Sequence, residues 1–231
     1  YMTIDEKLKV FFEGKKVVIL GFGREGRSTL KLLGSCNCKS ITVADMNPVP
    51  ESEAEGCTLC CGEDYLTCLD DCDVIMKAPG VILKNIVSDE IKAKITSQTD
   101  LFLRFCDNMI IGITGTKGKS TTSSLIKFFI EKSGKDTMLI GNIGVPPLER
   151  REEFTKDCVI VCEMSCHQLE YVKASPDVAV LLNIYPEHLD HYTDFAAYRN
   201  AKLNIFRYQN ENDTPVSYTH LRAHETKANL V

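Results

Sequence analysis

The chain has 231 residues, is 44% hydrophobic and 26% charged, and carries a formal net charge of −5. That is ordinary globular composition, long enough for one or two packed domains. The acidic balance excludes the broad basic surface that nucleic acid or an anionic membrane needs, and no run of about 18 apolar residues is present to span a bilayer.

The opening Tyr1-Met2-Thr3-Ile4-Asp5-Glu6-Lys7 lacks the basic and then apolar segments of a secretory signal, which predicts a cytoplasmic protein. Lys16 to Leu20 (KVVIL) is a short β-rich run ending at Gly21, read as a buried parallel strand. A helix is expected from Arg24 to Leu33, then strands at Ser40–Ala44 and Val74–Met76, the latter running into a Lys77-Ala78-Pro79-Gly80 turn. Strands alternating with helices predict βαβ units and a parallel sheet. The pattern restarts with a strand at Met109–Thr114 and a helix at Lys119–Lys132. Further strands are expected at Thr137–Ile140, Cys158–Cys162 and Val178–Leu182, with a final amphipathic helix at Phe195–Tyr208. The predicted fold class is therefore α/β: a Rossmann-like parallel-sheet domain over 1–106, then a truncated phosphate-loop-type α/β domain over 107–214. Residues 215–231 have no clear hydrophobic period and are expected to be a disordered tail.

The chain has 11 cysteines, an odd count in a sequence with intracellular character, which favours free thiols. Cys57, Cys60, Cys61, Cys68 and Cys72 have spacings that could hold zinc, although Cys60 and Cys61 are adjacent and no histidine lies nearby.

Gly21-Phe22-Gly23-Arg24-Glu25-Gly26 is a GxGxxG between a strand and a helix, the setting in which backbone and helix N-terminus bind a pyrophosphate. Asp45 ends the second strand, where an acid can bond a ribose hydroxyl. Taken alone, the pattern reads as NAD binding, or as a tight turn with no ligand.

Gly112-Ile113-Thr114-Gly115-Thr116-Lys117-Gly118-Lys119-Ser120-Thr121-Thr122 is a stronger signal. Backbone N–H groups of Gly115 to Gly118 would cradle ATP phosphates and Lys119 would neutralise them. A Ser120 or Thr121 hydroxyl would ligate Mg²⁺. The usual phosphate loop has glycine where Ile113 stands, so this is a variant. Glu163, closing a buried strand, is placed to hold Mg²⁺; the alternative is a salt bridge at the sheet's edge. Asn183 to His191 supplies two histidines and two acids after a strand, either a second Mg²⁺ or Mn²⁺ site or a plain polar loop.

Four elements together resemble the Mur ligases: GITGTKGKSTT, GNIG (Gly141 to Gly144), EMSCHQLE (Glu163 to Glu170) and NIYPEHLDHY (Asn183 to Tyr192), over about residues 15 to 212. With GFGREG, the pattern is most like members that join D-glutamate to UDP-N-acetylmuramoyl-L-alanine with ATP and Mg²⁺ in peptidoglycan precursor synthesis. The resemblance implies that the first domain holds UDP, not NAD, through Gly23, Arg24, Asp45 and Asn47. Asn142 and Ser165 would touch the muramoyl group. Lys119, His188 and Lys202 would be catalytic. Ser120, Glu163, His188 and a carbamylated Lys202 would hold metal. Ala78 stands where the family has serine, Glu187 where it often has aspartate, and His167 where phenylalanine is common. The resemblance also implies a longer central domain and an amino-acid-binding third domain. The chain is thus expected to be a monomeric fragment, inactive alone. Alternatives are the L-alanine-adding branch, a folylpolyglutamate-type enzyme, an NAD oxidoreductase and a non-catalytic nucleotide-binding module.

Overall fold

The Thr3 hydroxyl accepts from the Glu6 backbone N–H, and the Glu6 carboxylate accepts from the Thr3 N–H. This capping box starts helix α1, Ile4–Phe12, which buries Leu8 and Phe12. The first unit continues with β1 (Lys16–Leu20), α2 (Arg24–Leu33), β2 (Ser40–Asp45), β3 (Thr58–Cys61), β4 (Val74–Lys77), α3 (Asp89–Lys94), β5 (Ile95–Thr96) and α4 (Gln98–Phe105). The second runs through β6 (Ile110–Thr114), α5 (Lys119–Lys132), β7 (Thr137–Gly141), β8 (Val159–Glu163), α6 (Cys166–Leu169), β9 (Val178–Leu181), α7 (Phe195–Arg207) and β10 (Thr214–Ser217). This computed structural model describes residues 2–83, 87–141, 145–188 and 190–217. The compact units are Tyr1–Leu101 and Phe102–Val231, so the division falls inside α4, ahead of the expected boundary after Cys106.

Each unit is built on one parallel sheet. In the first the order is β3-β2-β1-β4-β5, with β1 central and its residues Val17 to Leu20 buried. In the second it is β10-β9-β6-β8-β7, with β6 central. In both sheets the chain leaves the central strand with neighbours reached by crossovers on either side. That creates a crevice at the carboxyl ends of the strands, where ligands bind in open α/β sheets. The two glycine-rich loops occupy these positions.

Two sequence expectations change here. β3 is an edge strand made of part of the cysteine cluster, paired with β2. Residues 215 to 217, expected to begin a disordered tail, belong to β10, where Pro215 faces Ala179 across the ladder with β9. Proline is tolerated because β10 pairs on one side only, so its missing N–H costs no ladder bond. The rest of that expected tail, 218–231, lies outside the described residues. Among the described residues no helix is long and apolar enough to cross a membrane.

Candidate functional site

In the second unit, Gly115 to Gly118 links β6 to α5, and Gly118 forms the helix N-cap with a φ of +88°. The glycines of the variant motif have separate jobs. A Cβ on Gly112 would lie 2.6 Å from Pro176 Cγ, so that glycine serves strand packing. Ile113, where the usual motif has glycine, is a fully buried core residue packed with Val161 and Leu182.

The segment after β9 braces the loop. Thr116 N–H donates to Asn183 O at 3.0 Å, and Lys117 N–H donates to Asn183 Oδ1 at 2.9 Å. Asn183 Nδ2 returns a bond to Lys117 O at 3.0 Å, and Tyr185 N–H donates to Thr116 Oγ1 at 2.9 Å. Two loop N–H groups expected to meet phosphate are therefore committed to Asn183. The first N–H groups of α5, which have no intrahelical carbonyl, can still meet an anion. Lys117 forms an exposed ion pair with Glu187 at 2.8 Å, which pulls the Glu187 carboxyl below its ordinary range.

Two lysines converge on one carbonyl. Lys119 Nζ and Lys202 Nζ each donate to Gly115 O at 3.0 Å, and Lys119 also reaches Thr116 O at 3.4 Å. Lys202 is only 2% exposed, on α7 beside the Tyr198 ring. Burial is the main cause that pushes its amine down to about 8, and the Lys119 charge adds to it. Glu163 ends β8 at 2% exposure and pairs in register with Ile113, two residues before Gly115. Ser120 and Thr121 sit exposed in the first turn of α5. Ser165 caps α6, its hydroxyl accepting from Gln168 N–H while Gln168 Oε1 accepts from Ser165 N–H. Asn142 lies outside the described residues.

His188 is the single non-glycine residue with positive φ among the described residues, at +57°. Such a conformation costs energy for a side-chain-bearing residue and clusters at functional sites. Two neighbours that sequence reasoning gave no role join it. Cys166, His167 and His188 bring their ligand atoms within 4.8 Å of one another. Each residue stood in a motif already noticed, but Cys166 and His167 come from α6 and His188 from a loop, and spacing does not reveal that meeting. The cysteines between 57 and 72, by contrast, supply no such three-ligand group among the described residues. Burial and neighbouring Cys60 push the Cys68 thiol up to about 12.

In the first unit, a cavity of about 520 Å³ opens at the ends of β1, β2 and β4, lined in part by Gly23, Arg24, Asp45, Asn47, Tyr65 and the Ala78-Pro79-Gly80 turn. Four predicted ligand residues thus share one cavity. The Asp45 carboxylate is held by its own chain: Oδ2 accepts from Phe22 N–H at 2.6 Å and Oδ1 from Asn47 N–H at 2.8 Å.

Glu25 lines the same cavity, and burial raises its carboxyl from its ordinary value near 4.5 to about 7. A raised folded-state value favours the protonated form. The contribution is full below pH 4.5 and is lost as pH climbs through 7, to a limit of roughly 3 kcal/mol. Glu25→Gln is expected to melt with the parent at pH 4.5 and several degrees above it at pH 8. Parallel melting curves across that range would show that the Glu25 carboxyl is not raised.

The Mur ligase middle domain family model matches residues 113–228, half of the chain, and extends into the stretch from 215 on that was expected to be a disordered tail. A UDP-N-acetylmuramoylalanine–D-glutamate ligase of Clostridium botulinum is 36% identical, over 90% of this chain and 47% of the relative. The protein of the same name from Clostridium kluyveri is 34% identical with the same coverage. The chain spans about half the length of the curated relatives it matches. Among solved structures, the UDP-N-acetylmuramate:L-alanyl-γ-D-glutamyl-meso-diaminopimelate ligase from Neisseria meningitides superposes with a TM-score of 0.51 at 18% identity, covering 91% of this chain and 74% of that one, a likeness of fold. On the extent of the middle-domain match, the chain belongs to the Mur ligase family.

Proposed function

We propose that this chain carries the ATP and UDP-substrate sites of a cytoplasmic ligase that joins D-glutamate to UDP-N-acetylmuramoyl-L-alanine. The observation that carries the reading is the convergence of Lys119 and Lys202 on Gly115 O, at a helix N-terminus whose sheet neighbour ends in buried Glu163. A cationic Lys119 at an anion-binding helix terminus suits a triphosphate, and Lys202 meets it at the same carbonyl, where a carbamate would face the metal that accompanies the phosphates.

In this reading the muramoyl-alanine carboxylate attacks the γ-phosphate, giving an acyl phosphate and ADP. The amine of D-glutamate then displaces phosphate through a tetrahedral intermediate. Lys119 leaves the two loop carbonyls for the β/γ oxygens, and the first N–H groups of α5 hold the phosphates. Ser120, Glu163, His188 and a carbamylated Lys202 would hold Mg²⁺. Glu163 fits that role because a carboxylate this buried requires a cation or a full set of donors. The ion supplies charge neutralisation on the phosphates. Lys202 suits carbamylation because burial, by lowering its amine to about 8, leaves part of it neutral and nucleophilic near neutral pH. Most of the rate then comes from positioning and charge neutralisation.

For the first unit the strand order and Asp45 favour a second reading, NAD binding. Each Asp45 oxygen accepts one backbone N–H, and Oδ2 keeps a lone pair for a sugar hydroxyl, so Asp45 can serve either ligand, and the likeness to D-glutamate ligases favours the UDP substrate. Hydrogen exchange separates the two. UDP-N-acetylmuramoyl-L-alanine is expected to protect residues 21–26 and Asp45, with NAD giving no protection. The reverse outcome would overturn the substrate assignment.

A further inference from the structure

We propose that Cys166, His167 and His188 form a binding site for a thiophilic divalent transition ion, with Zn²⁺ as the fitting probe, distinct in donor chemistry from any Mg²⁺ site. The site does not depend on the ligase reading. It stands on the residues that meet there.

The donor set decides the class of ion. One sulfur and two imidazoles suit a borderline-soft cation, whereas Mg²⁺ takes oxygen ligands and dehydrates reluctantly. Zn–S near 2.3 Å and Zn–N near 2.0–2.1 Å imply ligand atoms roughly 3.3–3.7 Å apart in a tetrahedron. The three atoms now lie within 4.8 Å of one another, so closing on an ion needs a shift of about 1 Å, within reach of side-chain rotation.

The surroundings are those of an organised site. Cys166 is 2% exposed, packed with Tyr192, Tyr198 and Ala201, so its sulfur is held in place. The His167 ring lies between partners: His188 at 4.9 Å, His191 at 4.2 Å and a stacked Tyr192 at 5.8 Å between centroids. His191 is itself anchored, its Nε2 being 3.3 Å from Glu170 Oε2. The His188 side chain is 44% exposed, which leaves an entry path and room for a water as fourth ligand. Three protein ligands and one open position is the arrangement of zinc sites that exchange ligands, not of closed structural ones. If His188 also serves Mg²⁺, as the ligase reading has it, zinc at this site and Mg²⁺ at that residue exclude each other.

Cobalt(II) substitution provides a direct readout. One equivalent of Co²⁺ added to the full reduced chain is expected to give the intense near-ultraviolet thiolate-to-cobalt charge-transfer band. Zn²⁺ should abolish the band by displacement, whereas Mg²⁺ at the same concentration should leave it, because Mg²⁺ prefers oxygen ligands and competes poorly for thiolate and imidazole. Cys166→Ala should remove the band. His167→Phe and His188→Gln should weaken Co²⁺ binding more than about 100-fold, since loss of even an outer partner costs 10- to 100-fold. A Cys60→Ser/Cys68→Ser double variant should bind as the parent does, which separates this site from the other cysteines. Far-ultraviolet circular dichroism checks that each variant folds. Should Cys166→Ala unfold, the two histidine variants decide alone. No charge-transfer band in the parent, a band that persists in folded Cys166→Ala, or unchanged affinity in both histidine variants would overturn the proposal.

Discussion

Replacing Lys119 with alanine is expected to abolish Mg·ATP binding, with a loss of affinity above about 100-fold, or roughly 3 kcal/mol. A charge-assisted bond to phosphate is worth about 1.5–3 kcal/mol, and Lys119 would make more than one. The loop itself should survive. Lys119 Nζ now bonds Gly115 O and Thr116 O, but Lys202 Nζ also serves Gly115 O, and Asn183 holds Thr116 and Lys117 independently. The melting temperature should therefore move little while calorimetric titration loses its signal. Affinity within threefold of the parent would take the loop out of nucleotide binding.

The second large effect falls on stability. Gly26→Ala should destabilise the first unit by roughly 2–4 kcal/mol, read by urea unfolding. A Cβ at Gly26 would stand 2.2 Å from Gly21 O, and the obstacle is backbone that cannot rotate away. Alanine's helix propensity, better by about 1 kcal/mol, is too small to offset this. Gly23→Ala is the contrast within the same motif, because a Cβ there meets nothing within 4 Å. That variant should fold normally and lose affinity only for a ligand whose pyrophosphate approaches the loop. A Gly26→Ala protein as stable as the parent would show that the helix does not need this close approach to β1.

The difference between these glycines bears on how much the sequence can carry. GxGxxG announces a strand, a tight turn and a helix, and β1 and α2 run over the expected Lys16–Leu20 and Arg24–Leu33. It does not say which glycine is for packing and which for ligand. The phosphate-loop motif has the same ambiguity: Gly112 is a glycine of the motif, yet it lies within β6 and is where Pro176 packs. Elements without a strong local signal were missed for related reasons. The edge strand β3 hides in a cysteine cluster whose spacing suggested metal, and β10 carries a proline that argues against a strand until its edge position is known.

The α/β class, the places of most strands and long helices, both glycine-rich loops and the likeness to the Mur ligases are legible in the order of residues. These follow from periodicity, turn chemistry and residues adjacent in the chain, which are local properties. What those residues face follows from the packed fold. It set Lys202 on the same carbonyl as Lys119, committed two loop N–H groups to Asn183, and engaged both Asp45 oxygens. It also moved the metal-binding question from the cysteines at 57–72 to Cys166, His167 and His188. Contacts such as Lys202 to Gly115, 87 positions apart, and Lys117 to Asn183, 66 apart, depend on strand order and crossover packing, and pairwise spacing along the chain contains neither.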